Sequence, residues 1–458
     1  MSRTFDAIIV GAGQAGPALA ARLTALGRTV ALVERHLVGG TCVNTGCKPT
    51  KTMVASAYAA RLARRGAEFG VHTGDMRIHM PTIAARARKV ILDSRRGNED
   101  WLAAMPGLTF IRGHARFVGP HQLEVNGELI DAPQVFLNVG GRANVPDFPG
   151  VNDVDYLTNS TIIPLESVPE HLVVVGGSYI GLEFAQMFRR FGAEVTVVEQ
   201  GPRLVGHEDE DVSAEIRQFL EAEGIAVRTG ACCITLAKHA QGVEVGVDCS
   251  EGAPHVVGSH VLLAVGRRPN TDDLDLDAAG IATDERGYIQ VDDHLKTNVD
   301  GVWAMGDCNG KGAFTHTAWN DYEIVAANLL DGQARKVSDR ILGYALYVDP
   351  PLGRVGMTEA QACKTGRPLL VSKRPMTKVG RAVEKAETLG FMKLVADAQT
   401  REILGAAILG TGGDEAIHGI LDLMNAGASV DTLQWAVPIH PTVSELLPTL
   451  AGELKPAS

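Results

Sequence analysis

Short apolar runs without a polar break punctuate the first 260 residues. FDAIIV at 5–10 and HLVVV at 171–175 have the length and β-branched content of strands buried on both faces. Each run leads into a glycine cluster, then into a stretch with a helix pattern, a further glycine and a second run, VALVE at 30–34 or VTVVE at 195–199. Beyond residue 340 the pattern changes to alternating segments such as GFMKLVADA and EILGAAILG, followed by a helix pattern. These patterns predict an α/β chain with two strand–helix–strand units and a different C-terminal α+β region.

The two glycine clusters match position by position. Gly11-Ala12-Gly13-Gln14-Ala15-Gly16 precedes Glu34, and Gly176-Gly177-Ser178-Tyr179-Ile180-Gly181 precedes Glu199. The first glycine and the acid are 23 positions apart in both, and Gly27 and Gly192 both lie 16 positions after it. This is a Rossmann-like dinucleotide fingerprint. Its glycines allow a tight turn, the approach of a pyrophosphate to backbone N–H groups, and packing of helix on strand. The strand-end acid accepts hydrogen bonds from ribose hydroxyls. Ser178 replaces the middle glycine of the second copy and narrows the fit, whereas Glu199 would repel a 2′-phosphate, which predicts NADH over NADPH.

Length and composition set the scale. A chain of 458 residues, 45% apolar with 51 glycines, suggests two to four globular domains. A formal charge of −11 and the lack of a polybasic block exclude a nucleic-acid surface and favour small-molecule substrates. The N-terminus enters a strand pattern directly and no apolar run reaches membrane-spanning length, so no membrane association is expected and a cytoplasmic location is. Seven cysteines are too few for a secreted disulfide scaffold.

Two of those cysteines carry the chemistry. They lie in Gly39-Gly40-Thr41-Cys42-Val43-Asn44-Thr45-Gly46-Cys47-Lys48-Pro49-Thr50-Lys51. On a regular helix, residues five apart have Cα atoms roughly 8.6 Å apart, too far for a disulfide, which needs about 4.4–6.8 Å. The segment must be irregular, and Gly46 and Pro49 are where irregularity is tolerated. A disulfide in such a place is easily reduced, and thiolates near a helix start and a lysine are stabilised. A static loop staple fits a reducing compartment poorly, and a zinc site lacks a second ligand pair, so no metal centre is expected.

GGTCVNTGCKPTK is very similar to the active-site signature of the class I pyridine nucleotide-disulfide oxidoreductases. The resemblance continues through AVGRRPNT at 264–271, VWAMGDCNG at 302–310 and Ile439-His440-Pro441-Thr442-Val443-Ser444-Glu445. It implies an FAD domain over 1–145 and 270–340, an NAD domain over 146–269 and a dimerisation domain over 341–458. It assigns FAD to Gly11, Gly13, Gly16, Glu34, Gly40, Thr41, Lys51, Ala115, Gly306, Asp307, Thr315 and His316, with a merely packed His316 as the alternative. It assigns the nicotinamide cofactor to Gly176, Ser178, Tyr179, Ile180, Gly181, Glu199 and Gly266, Tyr179 being an aromatic gate. It further implies that Cys47 faces the flavin, Cys42 exchanges with substrate, and Lys51 pairs with Glu183. His440, oriented by Glu445 and contributed by the second subunit of a homodimer, would serve Cys42 as base.

The oxidant is less constrained. Gln14 and Ala21 stand where glutathione reductases use a serine and an arginine. GAGQAGPALAARL, DPPLGRVGMTEAQA and HPTVSELLPTL look closest to mercuric-reductase-like flavoproteins, yet the chain ends AGELKPAS without a vicinal cysteine pair and is expected to lack an N-terminal metal-binding domain. A disulfide or metal-ion reductase is therefore expected, with dihydrolipoamide dehydrogenase and a non-catalytic flavoprotein redox sensor as alternatives. Cys232 and Cys233, in a strand-like stretch, should point to opposite faces, which disfavours metal capture. Cys249, Cys308 and Cys363 read as core or incidental. Lys48 stands where relatives have an apolar residue: it would lower a thiol pKa, attract an anionic substrate, or simply be solvated.

Overall fold

The computed structural model describes residues 2–248 and 252–457; Cys249 lies outside them. The first apolar runs form a five-stranded parallel sheet in the spatial order 302–304, 135–137, 7–10, 30–34 and 108–112. Ala7–Val10 is buried throughout, as a strand covered on both faces must be. The helix Gly16–Ala25 crosses back to Val30–Glu34, with Pro17 in its first turn where a missing N–H costs nothing.

The second unit repeats this in a four-stranded parallel sheet, ordered 226–228, 194–198, 171–175 and 260–263. Its helix Tyr179–Phe191 buries most of its residues and stops at Gly192, whose φ of +115° suits glycine. The chain crosses between the two units in a two-stranded antiparallel ribbon, 141–143 against 267–269. The cavity described below therefore opens beside both glycine loops.

The C-terminal region is a six-stranded antiparallel sheet ordered 343–346, 352–356, 403–409, 391–397, 369–375 and 455–456, with short helices packed on it. Phe391–Asp397 and Ile403–Leu409 are buried along their whole length, which places these hairpin strands at the centre of the layer. No helix among the described residues is long and apolar enough to cross a membrane.

Cys232 and Cys233 are both exposed. Strand pairing shifts between Cys232 and Thr235, and Cys233 has φ +52°, so the strand is irregular where the two cysteines stand. Among the described residues no group of three or more His, Cys, Asp or Glu side chains is arranged to hold a metal. Cys308 is fully buried and Cys363 exposed.

Candidate active site

A cavity of about 1090 Å³ runs from the first glycine loop past both cysteines to the start of the second unit's helix. It is lined by Gly11, Gly13, Glu34, Gly40, Thr41, Cys42, Cys47, Lys51, Ala115, Gly306, Asp307, Thr315 and His316, and by Ser178, Tyr179, Ile180, Glu183 and Gly266. Gly16 and Gly181 do not reach it. They let each helix sit on its own loop, since a Cβ there would lie 2.2 Å from the Gly11 carbonyl oxygen and 2.0 Å from that of Gly176. Gly176 and Glu199 lie behind the second loop, outside the cavity lining.

The fingerprint acids act first on their own loops. Glu34 accepts hydrogen bonds from the N–H groups of Ala12 (2.8 Å) and His36 (2.7 Å). Glu199 accepts from Gly177 and Gly201, both at 2.6 Å. The acceptors and offsets are the same in both copies. A carboxylate has about four lone-pair sites, so each acid keeps acceptor capacity for a ribose.

The cysteine segment breaks where the disulfide geometry requires it. One short helix, Gly40–Asn44, carries Cys42, and a second, Cys47–Arg65, begins at the other cysteine. The break falls at Thr45–Gly46, and a Cβ on Gly46 would lie 2.8 Å from the Thr41 carbonyl oxygen. Pro49, by contrast, sits inside the first turn of the second helix, where proline is compatible with regular geometry. The irregularity belongs to Thr45 and Gly46.

Both cysteines are free thiols. The hydrogen bond from Cys42 lowers the Cys47 pKa to about 6, with help from the Thr315 hydroxyl and the Lys51 ammonium, against burial and the Glu183 carboxylate. The Thr315 Oγ1–Cys47 Sγ distance is 3.3 Å. The same thiol–thiolate hydrogen bond, with burial, pushes Cys42 well up. The pair is polarised: Cys47 is the thiolate and Cys42 holds the proton.

Lys51 lies one turn beyond Cys47 and donates to both oxygens of Glu183, at 2.8 and 2.7 Å. Glu183 is only 4% exposed and also accepts from the Tyr347 backbone N–H at 3.1 Å. The ammonium lies 4.6 Å from the Tyr347 ring centre. Two hydrogen bonds and a cation–π contact hold the lysine beside the thiolate.

Tyr179 meets an aromatic seat edge-on, with centroids 6.3 Å from Phe314 and 5.5 Å from Tyr344. Phe314 stacks on His316 at 5.3 Å. His316 donates through Nε2 to the Gly343 carbonyl at 2.7 Å, and burial depresses its pKa. It both lines the cavity and is packed as a neutral histidine. His440 and Glu445 are hydrogen-bonded at 2.8 Å but do not line the cavity of their own chain. His440 is 81% exposed, beside the exposed apolar residues Trp435, Val437 and Ile439.

Among the cavity residues missed in the sequence, three stand out. Asn138, at the end of the 135–137 strand, sends its side chain toward the first loop, where a Cβ on Gly13 would come within 3.2 Å of it. Arg267 lies 3.5 Å from Asp307 and donates to Thr41 Oγ1 at 3.2 Å. It offsets part of the burial that raises the Asp307 pKa. Its neighbour Gly266 and its place in AVGRRPNT were the available signal. Phe314 belongs to the aromatic seat, for which its position just before Thr315 offered the only hint.

These residues fit FAD. A loop that tolerates no Cβ at Gly11, N–H groups at a helix start, a strand-end acid, and the half-buried Asp307 facing the same long cavity supply the donors and acceptors a flavin dinucleotide requires.

The family model for pyridine nucleotide-disulphide oxidoreductases matches residues 5–321, and that for the dimerisation domain of the same enzymes matches 343–451. The chain belongs to this family of NAD(P)H-dependent flavoprotein disulfide oxidoreductases, and membership implies FAD and a pyridine nucleotide. Escherichia coli strain K12 RclA, a probable pyridine nucleotide-disulfide oxidoreductase, is 36% identical, covering 98% of this chain and 99% of RclA. The structure described as the Cu(II) complex of the HOCl-induced flavoprotein disulfide reductase RclA superposes with a TM-score of 0.90, at 34% identity over 99% of both chains. Mercuric reductase of Bacillus cereus is 32% identical over 96% of this chain and 70% of that protein. Dihydrolipoyl dehydrogenase of Thermus scotoductus is 34% identical over 99% and 98%.

Proposed function

We propose that this protein is an FAD-dependent, NADH-driven reductase that passes electrons through Cys42 and Cys47 to a disulfide or metal-ion substrate, as a homodimer. The observation that carries this reading is the cysteine pair lining the cavity, with Cys47 hydrogen-bonded to Thr315 and one helical turn before a lysine fixed by the buried Glu183. FAD, when bound, supplies the two-electron link between the nicotinamide and the disulfide.

Each residue then has a task. Gly11, Gly13, Glu34, Ala115, Gly306 and Asp307 bind the flavin dinucleotide, and Thr315 donates to the Cys47 thiolate. Lys51, fixed by Glu183, keeps positive charge beside that thiolate. Tyr179 covers the nicotinamide face until the cosubstrate enters between Ser178, Ile180 and Gly266. Glu199 accepts from a free ribose 2′-hydroxyl and disfavours a 2′-phosphate, which supports NADH.

On the substrate side, His440 of the partner subunit takes the Cys42 proton, and Glu445 orients the imidazole through the 2.8 Å hydrogen bond. The Cys42 thiolate attacks a substrate disulfide, forming a mixed disulfide and releasing one substrate thiol, protonated by the histidine. Cys47 then attacks the Cys42 sulfur, re-forms the Cys42–Cys47 bond and releases the second substrate sulfur as thiolate. The exposed apolar stretch Trp435–Ile439 is what a subunit interface would cover.

The test is an anaerobic NADH titration of the holoenzyme, followed by lipoamide, glutathione disulfide, Hg(II), Cu(II) and quinones as oxidants. Cu(II) belongs in the panel because a relative's structure holds it. Bleaching of the flavin by NADH with reoxidation by at least one oxidant is expected; preferred turnover of lipoamide would favour a dihydrolipoamide dehydrogenase. Flavin reduction with no turnover on any oxidant favours the redox-sensor reading. His440→Ala should keep flavin and its reduction by NADH while losing turnover by about a hundredfold, the scale of a general base.

A further inference from the structure

Two lysines, Lys48 and Lys51, stand near the start of the Cys47–Arg65 helix, and the structure treats them oppositely. Lys51 faces the cavity and is ion-paired with Glu183. Lys48 is exposed, does not line that cavity, and no carboxylate among the described residues pairs with it. Its ammonium is nevertheless fixed: Nζ donates to Ser94 Oγ, on the neighbouring helix Met80–Ala103, at 2.9 Å. Close by, Asp93 is taken by Lys89 at 2.5 Å, so the nearest acid in sequence to Ser94 is already engaged. The charge of Lys48 is felt at Cys42, drawing that thiol toward its ionised form.

A pinned cation directly after Cys47, at the start of the helix that carries the redox pair, in a chain of formal charge −11, adds positive charge on the approach to the cysteine pair. An ammonium with two N–H donors left over attracts carboxylates and repels metal aquo cations. We propose that Lys48 is a specificity-determining residue that selects an anionic disulfide, one carrying a carboxylate near the S–S bond, over a neutral disulfide or an uncomplexed metal cation. This rests on the reading of Cys42 as the exchange thiol. The chemistry is the disulfide exchange already described, and the carboxylate is not consumed.

The test uses the FAD-loaded enzyme with NADH and two matched pairs of oxidants. Lipoate and lipoamide share one dithiolane and differ by a carboxylate; dithionitrobenzoate and dithiodipyridine are an anionic and a neutral aromatic disulfide. The wild type should favour the anionic member of each pair by about fivefold in kcat/KM at low salt, and by less at 0.5 M salt, roughly where screening falls to a few ångströms. Lys48→Arg should retain the preference, Lys48→Gln should bring the ratio near one, and Lys48→Glu should invert it. Stopped-flow reduction of the flavin by NADH reports that each variant is folded and loaded. If Lys48→Gln slows both members of a pair equally, the lysine serves only the Cys42 thiol and the specificity assignment is overturned. If the wild type is reduced by NADH yet turns over none of the four, the disulfide-exchange reading fails together with this one.

Discussion

The two glycine-loop units answer the same sequence pattern with the same hydrogen bonds, and they differ in what lies on top of them. In both, the strand-end acid binds the N–H of the residue after the first glycine and the N–H two residues beyond itself. Over the first loop, however, the cysteine segment is tightly seated. Gly39 donates to the Ala12 carbonyl at 2.8 Å, Gln14 donates to Gly39, and a Cβ on Gly40 would come within 3.0 Å of the Gly13 Cα. The Asn138 side chain fills the space beneath. In the second unit the equivalent strand ends at Leu263 and is followed by Ala264, which has no polar side chain to insert, and the helix begins three residues after the first glycine rather than five. On the function proposed above, the first site would hold its flavin against the cysteines, and the second would admit and release the nicotinamide cofactor.

Substitutions at the two loops should separate these roles most sharply. Gly11→Ala forces a Cβ to 2.2 Å from the Asn138 carbonyl oxygen at a φ of +107°, and Gly176→Ala to 2.4 Å from that of Ala264 at +114°. The first should purify with its flavin absorbance reduced more than about tenfold; the second should keep its flavin and lose reduction by NADH by a similar factor. Flavin loss from both would break the distinction.

Cys42→Ala probes what the first unit's lid adds. With the pKa of Cys47 at about 6, the thiolate is present above that pH and lost as pH falls through it. Removing the hydrogen bond that chiefly lowers this pKa should carry it back toward the ordinary thiol value of about 8.5, so the thiolate fraction at pH 7 falls from roughly nine-tenths to a few per cent. The pH dependence of Cys47 alkylation measures this, and the KM for NADH should not change.

The acids should then part company. Glu199→Gln should narrow the NADH-over-NADPH ratio of kcat/KM by about tenfold, roughly 1.4 kcal/mol, whereas Glu34→Gln should weaken flavin retention and leave the ratio alone. Ser178→Gly should have the smallest effect, a change of less than about twofold in the KM for NADH. The serine caps its helix with extended backbone, φ −108°, a conformation open to any residue.

Both strand–helix–strand units, their acids and the cysteine pair were legible in the residue pattern. Each depends on local spacing: glycine where the chain must turn or touch, apolar runs where strands are covered, and a five-residue separation that no regular helix can bridge. The pairing of Lys51 with Glu183, 132 residues apart, was legible only through family resemblance, and its two hydrogen bonds show that the sites meet. Tertiary structure alone decided the rest. Asn138 and Arg267 enter the cavity because strand order brings their loops to the flavin side, which no local pattern encodes. The irregular backbone at Cys233 accompanies a shift in pairing with the neighbouring strand. The contrast between Lys48 and Lys51, three residues apart on one helix, comes from the partners the fold delivers: a buried carboxylate for one, and a serine hydroxyl at the surface for the other. A side chain's type is written locally, but its charge balance is set by groups that are distant in the chain.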